Sequence, residues 1–262
     1  MSLVNLERDG ALAVITIDNP PQNRITEQMS SELLAAVDTI EAGEIRAVLL
    51  TTKGPDFCFG GDIMPWPEMS NRELRTSFER HMATFNRFER LPVPVVAAVQ
   101  GLCFGGGLEL AIRADMIIAG ETARFGHPEQ TLGIITVLGG VYRIAERAGR
   151  SVASQWSMTS EPVPASTMHQ RGVVNQVVPD ADLLSTARDL AARLAKGPTR
   201  AYAAHKALLR IWAESGVTAA DSAMFEIAMP LFETNDVRRG LASAVSALKA
   251  GHPRPTMDFK GL

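Results

Sequence analysis

An α/β fold with parallel strand pairing is predicted from three observations. Apolar runs of strand length recur at 11–18, 46–52, 94–101 and 115–120. Helical patterns and glycine-punctuated loops separate them. The runs are continuously apolar rather than alternating, which is the signature of strands buried on both faces.

Taken in order, "ALAVITID" (11–18) reads as a strand that Asn19–Pro20–Pro21 ends. Thr26 is placed to cap a helix carrying Met29, Leu33, Leu34, Val37 and Ile40 at helical spacing. "RAVLLTT" (46–52) is a buried-type strand, and "GPDFCFGGD" (54–62) is a loop. A polar helix with aromatic residues follows at 71–90, then the strand "PVVAAVQG" (94–101). "GLCFGGGLEL" (101–110) leads into the third run of this buried type, 115–120. After about residue 139 short helical patterns dominate, and "GVVNQVVP" (172–179) reads as a last strand. From Asp182 nearly everything is helical, with Pro198 near a helix start. The alanine-rich, apolar-striped C-terminal helices pack either on a partner subunit or on their own core. The tail from Ala250 is expected to be loosely ordered.

Bulk properties narrow the function. The chain has 262 residues, 46% hydrophobic and 21% charged, with a formal net charge of −3. That is ordinary for a soluble globular protein with a large core, and it offers no basic excess for nucleic acid or an anionic membrane. Two cysteines, Cys58 and Cys103, make neither a disulfide framework nor a zinc pattern, so a reducing, cytoplasmic setting is expected. The N-terminal residues carry no signal-peptide pattern. The stretch from Leu91 to Ile112 is long enough to imitate a membrane span, but it holds Pro92, Pro94, Gln100 and Glu109.

Two glycine turns carry the chemistry. "CFGGDI" (58–63) and "FGGGLEL" (104–110) each follow an apolar strand closely. At neighbouring strand ends such turns would present backbone N–H groups near each other, where open α/β folds bind ligands. Paired N–H groups stabilise negative charge developing on a carbonyl oxygen. Neither turn has the Lys and Ser/Thr of a phosphate loop or the spacing of a dinucleotide fingerprint. Glu109 stands among Leu108, Leu110, Ala111 and Ile112, so partial burial would raise its pKa toward acid–base use. Glu129 follows His127–Pro128 on a turn. Taken alone, Glu129 reads as a surface residue and His127 as structural.

These motifs together resemble the crotonase (enoyl-CoA hydratase/isomerase) superfamily. "NPPQNRIT" (19–26), "DFCFGGDI" (56–63), "VVAAVQGLCFGGGLELAIRADMIIA" (95–119), "ARFGHPEQTLGI" (123–134), "GVVNQVV" (172–178) and "LFETNDVRRG" (231–240) follow the family's order. The resemblance implies a spiral of ββα repeats in residues 1–195 and a helical region in 196–262 that builds homotrimers, often paired into hexamers. It implies an acyl-CoA thioester as substrate, with coenzyme A as part of that substrate and no separate cofactor or metal. By position, Gly61 and Gly106 are the two amides of the oxyanion hole, and Glu109 and Glu129 the two catalytic glutamates. The match also suggests Gln22, Asn23, Cys58, Phe59, Gly60 and Asp62 for substrate binding, with Phe232 and Lys249 reaching the nucleotide end.

The sequence departs from the hydratases at "GIITVLGG" (133–140). Thr136 and Val137 stand where Pro-Gly is usual, and Val137 is expected to crowd the place of the attacking water. Phe59 and Trp66 are expected to narrow the acyl pocket. Three readings stay open: a hydratase, another crotonase-type enzyme such as an isomerase, decarboxylase or hydrolase, and a weakly active acyl-CoA-binding subunit.

Overall fold

A strand that the pattern did not signal opens the chain. In the computed structural model, which describes residues 2–261, β1 (Val4–Asp9) pairs antiparallel with β2 (Leu12–Ile17). Its sequence, Val-Asn-Leu-Glu-Arg-Asp, is mostly exposed at a sheet edge, so it lacks the apolar run of a buried strand. The other runs fold as expected into β3 (Ala47–Thr52), β4 (Val95–Val99) and β6 (Met116–Gly120). With β9 (Gln176–Val178) they complete a sheet of order β1-β2-β3-β4-β6-β9, parallel throughout except at β1. The strand expected over 172–179 is shorter. Val173 and Val174 are buried in the turn before it instead.

A second small sheet joins β5 (Leu102–Phe104), β7 (Arg124–Gly126) and β8 (Val163–Pro164). It takes the glycine-rich segment out of the main sheet. The second glycine turn therefore follows β5, not the long strand β4.

Helices cover both faces of the main sheet. Thr26 caps α1 (Glu27–Ala42), its hydroxyl accepting from Met29 N at 3.2 Å. Ser70 and Glu73 form a capping box on α2 (Asn71–Glu89). Met29, Leu33, Val37, Phe85 and Phe88 from these helices enclose Ile15, Val48, Leu50 and Ala97. Burying each large side chain is worth about 1.5–3 kcal/mol. Four short helices follow the glycine turns: α3 (Gly106–Ala111), α4 (Gly140–Ala148), α5 (Arg150–Thr159) and α6 (Ala165–Gln170). On the opposite face α7 (Leu183–Ala195) lays Ala187 and Ala191 against Leu12, Leu49, Val96 and Ile118.

The C-terminal arm is different. Helix α8 (Thr199–Ala228) is interrupted at Gly216, where φ is +79°, and none of its described residues is buried. A 3-10 turn leads to α9 (Asn235–Ala250). The tail is not loose at its end. Arg46 Nη1 donates to the Phe259 carbonyl at 2.9 Å, and Gly261 N donates to Asp236 Oδ2 at 2.7 Å. A buried aspartate on α9 thus pins residues expected to be loosely ordered. Among the described residues no helix is long and apolar enough to cross a membrane.

Candidate active site

The two glycine turns are stitched together by backbone bonds. Cys58 and Cys103 form a parallel bridge, with Cys58 N donating to Leu102 O at 3.1 Å and Phe104 N donating to Cys58 O at 2.9 Å. The first turn is also tied to residue 25: Ile25 N donates to Gly60 O and Asp62 N to Ile25 O. Gly61 N lies between these bonds and Gly106 N opens α3. Among the described residues neither donates to a protein acceptor. A Cβ built on Gly106 would lie 3.7 Å from Gly61 N, so the two amides are close neighbours.

The glycines here are sterically required. Gly105 has φ +53°, and a Cβ there would stand 2.6 Å from Glu129 Oε1. A Cβ on Gly107 would stand 2.4 Å from the Cys58 carbonyl oxygen.

Both glutamates line one cavity of about 260 Å³ with Gly61 and Gly106. Glu109 is only 1% exposed. Its Oε1 accepts from Leu138 N and from Gly140 N, each at 2.8 Å. Burial raises its pKa, while these two amides and nearby Arg113 pull it back down. Glu129 sits on the 3-10 turn Pro128–Leu132, and its Oε2 is buried without a hydrogen-bond partner. Burial, with the charge of Glu109 adding, pushes it up to about 7. The two carboxyl groups therefore occupy unlike environments: Glu109 is held by two amides, and Glu129 keeps one oxygen buried and unpartnered. His127 is buried beside them with neither ring nitrogen partnered, and burial pushes it down to about 4, so it is neutral.

A buried arginine behind Glu109 was not anticipated from the motifs. Arg113 Nη2 donates to Leu138 O at 2.7 Å, and Nη1 donates to Asn86 Oδ1 and Glu89 Oε2 at 2.7 and 2.9 Å. Arg143 bonds the same Glu89. This network fastens the segment that carries Thr136 and Val137. Neither residue adopts a left-handed conformation. Arg113 stands four residues past Glu109, in the turn that follows α3, and that spacing was the available signal.

The structure sorts the remaining predicted positions. Trp66, Asp62 and Val137 line the cavity. Phe59 does not, contrary to expectation: its ring packs on Phe104 at 5.5 Å, with the Arg24 guanidinium over it at 5.0 Å. Cys58 is fully buried, and burial pushes its thiol up to about 12. Gly60 holds the turn at φ +97°. Asn23 is buried, and its amide donates to the carbonyls of Lys53 and Asp56, so it holds the loop. Gln22 Oε1 accepts from Arg24. Phe232, 55% exposed, and Lys249, on the last turn of α9, lie outside the cavity wall.

An α/β spiral with paired amides and two buried carboxyls facing one apolar chamber defines the class. The chain belongs to the enoyl-CoA hydratase/isomerase family, the crotonases, whose family model matches residues 7–250. It is 37% identical over 194 residues to a short-chain-enoyl-CoA hydratase of Clostridium acetobutylicum, covering 73% of this chain and 74% of that one. It is 30% identical over 268 residues to the 2,3-dehydroadipyl-CoA hydratase of Escherichia coli, covering both chains fully. The crystal structure of an enoyl-CoA hydratase from Bacillus anthracis superposes with a TM-score of 0.89 at 25% identity, over 99% of this chain and 100% of that one.

Proposed function

We propose that this protein hydrates 2-enoyl-CoA thioesters. The carrying observation is that Gly61 N, Gly106 N, Glu109 and Glu129 face a single cavity. The thioester oxygen accepts from the two amides, which stabilise the enolate charge by about 3 kcal/mol per donor. Glu109, its charged form favoured by two amide donors, takes a proton from water as the oxygen bonds to C3. Glu129, whose pKa of about 7 keeps a large share of it protonated at neutrality, gives its proton to C2. A second proton transfer between the two carboxyls or through solvent resets the site. Water is consumed, and nothing is oxidised or reduced. Coenzyme A enters as part of the substrate.

The exposed apolar side chains of the C-terminal region, among them Trp212, Phe225 and Phe232, support its role in self-association as a homotrimer or a pair of trimers. Phe232 and Lys249 then approach a nucleotide end from the subunit rim. Sedimentation velocity tests the assembly.

Hydration is tested with 2-enoyl-CoAs of graded chain length, reading loss of the conjugated thioester absorbance and the mass of the product. No turnover at any length, with thioester binding intact, overturns the hydratase reading. A double-bond isomerase is the second reading, favoured by the departure at Thr136 and Val137. A lone proton carrier such as Glu129 suffices for that reaction, and a product of unchanged mass identifies it.

A further inference from the structure

Besides Thr26 and Asp62, the chemistry above leaves a cluster of three polar residues of the cavity wall unused. Glu27 is the first residue of α1, and Ser77 and His81 stand one turn apart on α2. The Ser77 hydroxyl donates to Glu27 Oε1 and lies 3.3 Å from His81 Nε2, which is itself 3.8 Å from Glu27 Oε1. His81 is 7% exposed, and its Nδ1 is buried with no partner among the described residues. Around them the wall is apolar: Trp66, Met69, Phe78, Ile134 and Ile135.

A plain alkyl chain gains nothing from such a cluster. An imidazole with an unpaired nitrogen is costly in an apolar wall, and a leucine or phenylalanine there would serve a hydrocarbon better. The cluster is rich in acceptors: the Glu27 carboxylate and one nitrogen of a histidine that burial keeps neutral. A second carboxylate would meet Glu27, itself half-exposed, as a partly screened like charge. Arg80 reaches Glu27 Oε2 only at 3.8 Å and is largely exposed, so it offsets little of that repulsion. A neutral hydroxyl group can donate to Glu27 or to the lone pairs of Ser77 Oγ, whose own proton is already given to Glu27.

We propose that Glu27, Ser77 and His81 form a subsite for a hydroxyl group carried by the acyl chain of the substrate. The inference rests on the acyl-CoA reading of the cavity and names its substrate class: hydroxylated enoyl thioesters, selected over alkyl and ω-carboxyl ones.

The test uses saturated thioesters, which cannot be hydrated. Calorimetric binding is measured for hexanoyl-CoA, the 4-, 5- and 6-hydroxyhexanoyl-CoAs and adipoyl-CoA. At least one hydroxylated ligand is expected to bind about tenfold tighter than hexanoyl-CoA, with adipoyl-CoA no tighter than hexanoyl-CoA. In Ser77→Ala and in His81→Phe that ratio falls to about one. If His81→Phe fails to fold, Ser77→Ala alone decides. Equal binding of all ligands, tightest binding of adipoyl-CoA, or a preference that survives Ser77→Ala overturns the subsite. A hydroxyl preference in a protein that hydrates nothing overturns the hydratase reading alone. Hydration without the preference overturns the subsite alone. Failure of every thioester to bind overturns both.

Discussion

Arg113 and Glu109 grip the same residue from opposite sides: the guanidinium takes the Leu138 carbonyl at 2.7 Å, and the carboxylate takes the Leu138 N–H at 2.8 Å. Arg113 is thus a positioning residue for the proposed base. Arg113→Met keeps the volume and removes the donors. It also frees Glu89 from one of its two arginines. We expect kcat to fall about 10²-fold with KM within about twofold, and stability to drop by about 3 kcal/mol. Steady-state kinetics on a variant shown to be folded by circular dichroism checks this. A proportional loss in KM instead would make Arg113 merely structural.

The unlike environments of the two carboxyls predict that neither can replace the other. Glu109→Gln and Glu129→Gln are each expected to lower hydration about 10²–10⁴-fold. In Glu109→Gln the introduced side-chain amide can turn its oxygen toward Leu138 N and Gly140 N, so this variant should stay folded. A single variant that keeps near wild-type turnover would remove that glutamate from the mechanism.

Glu129 also couples folding to pH. Its folded pKa of about 7 lies above the ordinary carboxylate value, so the native state holds a proton that the unfolded chain has already released. The contribution of the protonated carboxyl is fully present below the unfolded value and is lost as pH rises through about 7. From about pH 5 to about pH 8 the wild type should lose on the order of 2 kcal/mol relative to Glu129→Gln. Denaturant unfolding at both values measures it, and parallel pH curves would contradict the assignment. The proposed acid predicts a matching activity limb: kcat/KM falls above about pH 7 as the proton is lost.

Gly107→Ala drives a methyl group to 2.4 Å from the Cys58 carbonyl, a backbone atom held in the bridge between the turns. We expect a loss of about 1–3 kcal/mol with a larger proportional loss of activity, because the two amides separate. Gly133→Ala meets no atom and carries only the penalty of φ +74°, about 1 kcal/mol. Thermal unfolding of the pair separates the steric effect from the conformational one.

Much of the frame was legible in the residues. Continuous apolar runs mark β2, β3, β4 and β6, because a strand buried on both faces has no choice but to be apolar. The glycine turns were legible because only glycine permits those close approaches. What the pattern could not carry was partnership between distant segments. Edge strand β1 looks like a loop because one side of it needs no burial. Phe59 was expected in the cavity, but the order of residues along the turn does not say that Phe104 and Arg24 would take its ring. The Asp236 anchor of the tail and the grip of Arg113 on Leu138 each join residues more than twenty positions apart, and such pairings exist only once the sheets have formed.

The chamber has two sides of different make. Backbone N–H groups of the two glycine turns line one side, whereas one face of α2, with Glu27, Trp66, Met69 and the 134–137 segment, makes the far wall. Exchange of Ser77, Phe78 or His81 alters the side-chain wall and leaves the backbone N–H groups of Gly61 and Gly106 where they are. One side of the chamber is thus side chains drawn from several segments, and the other is backbone.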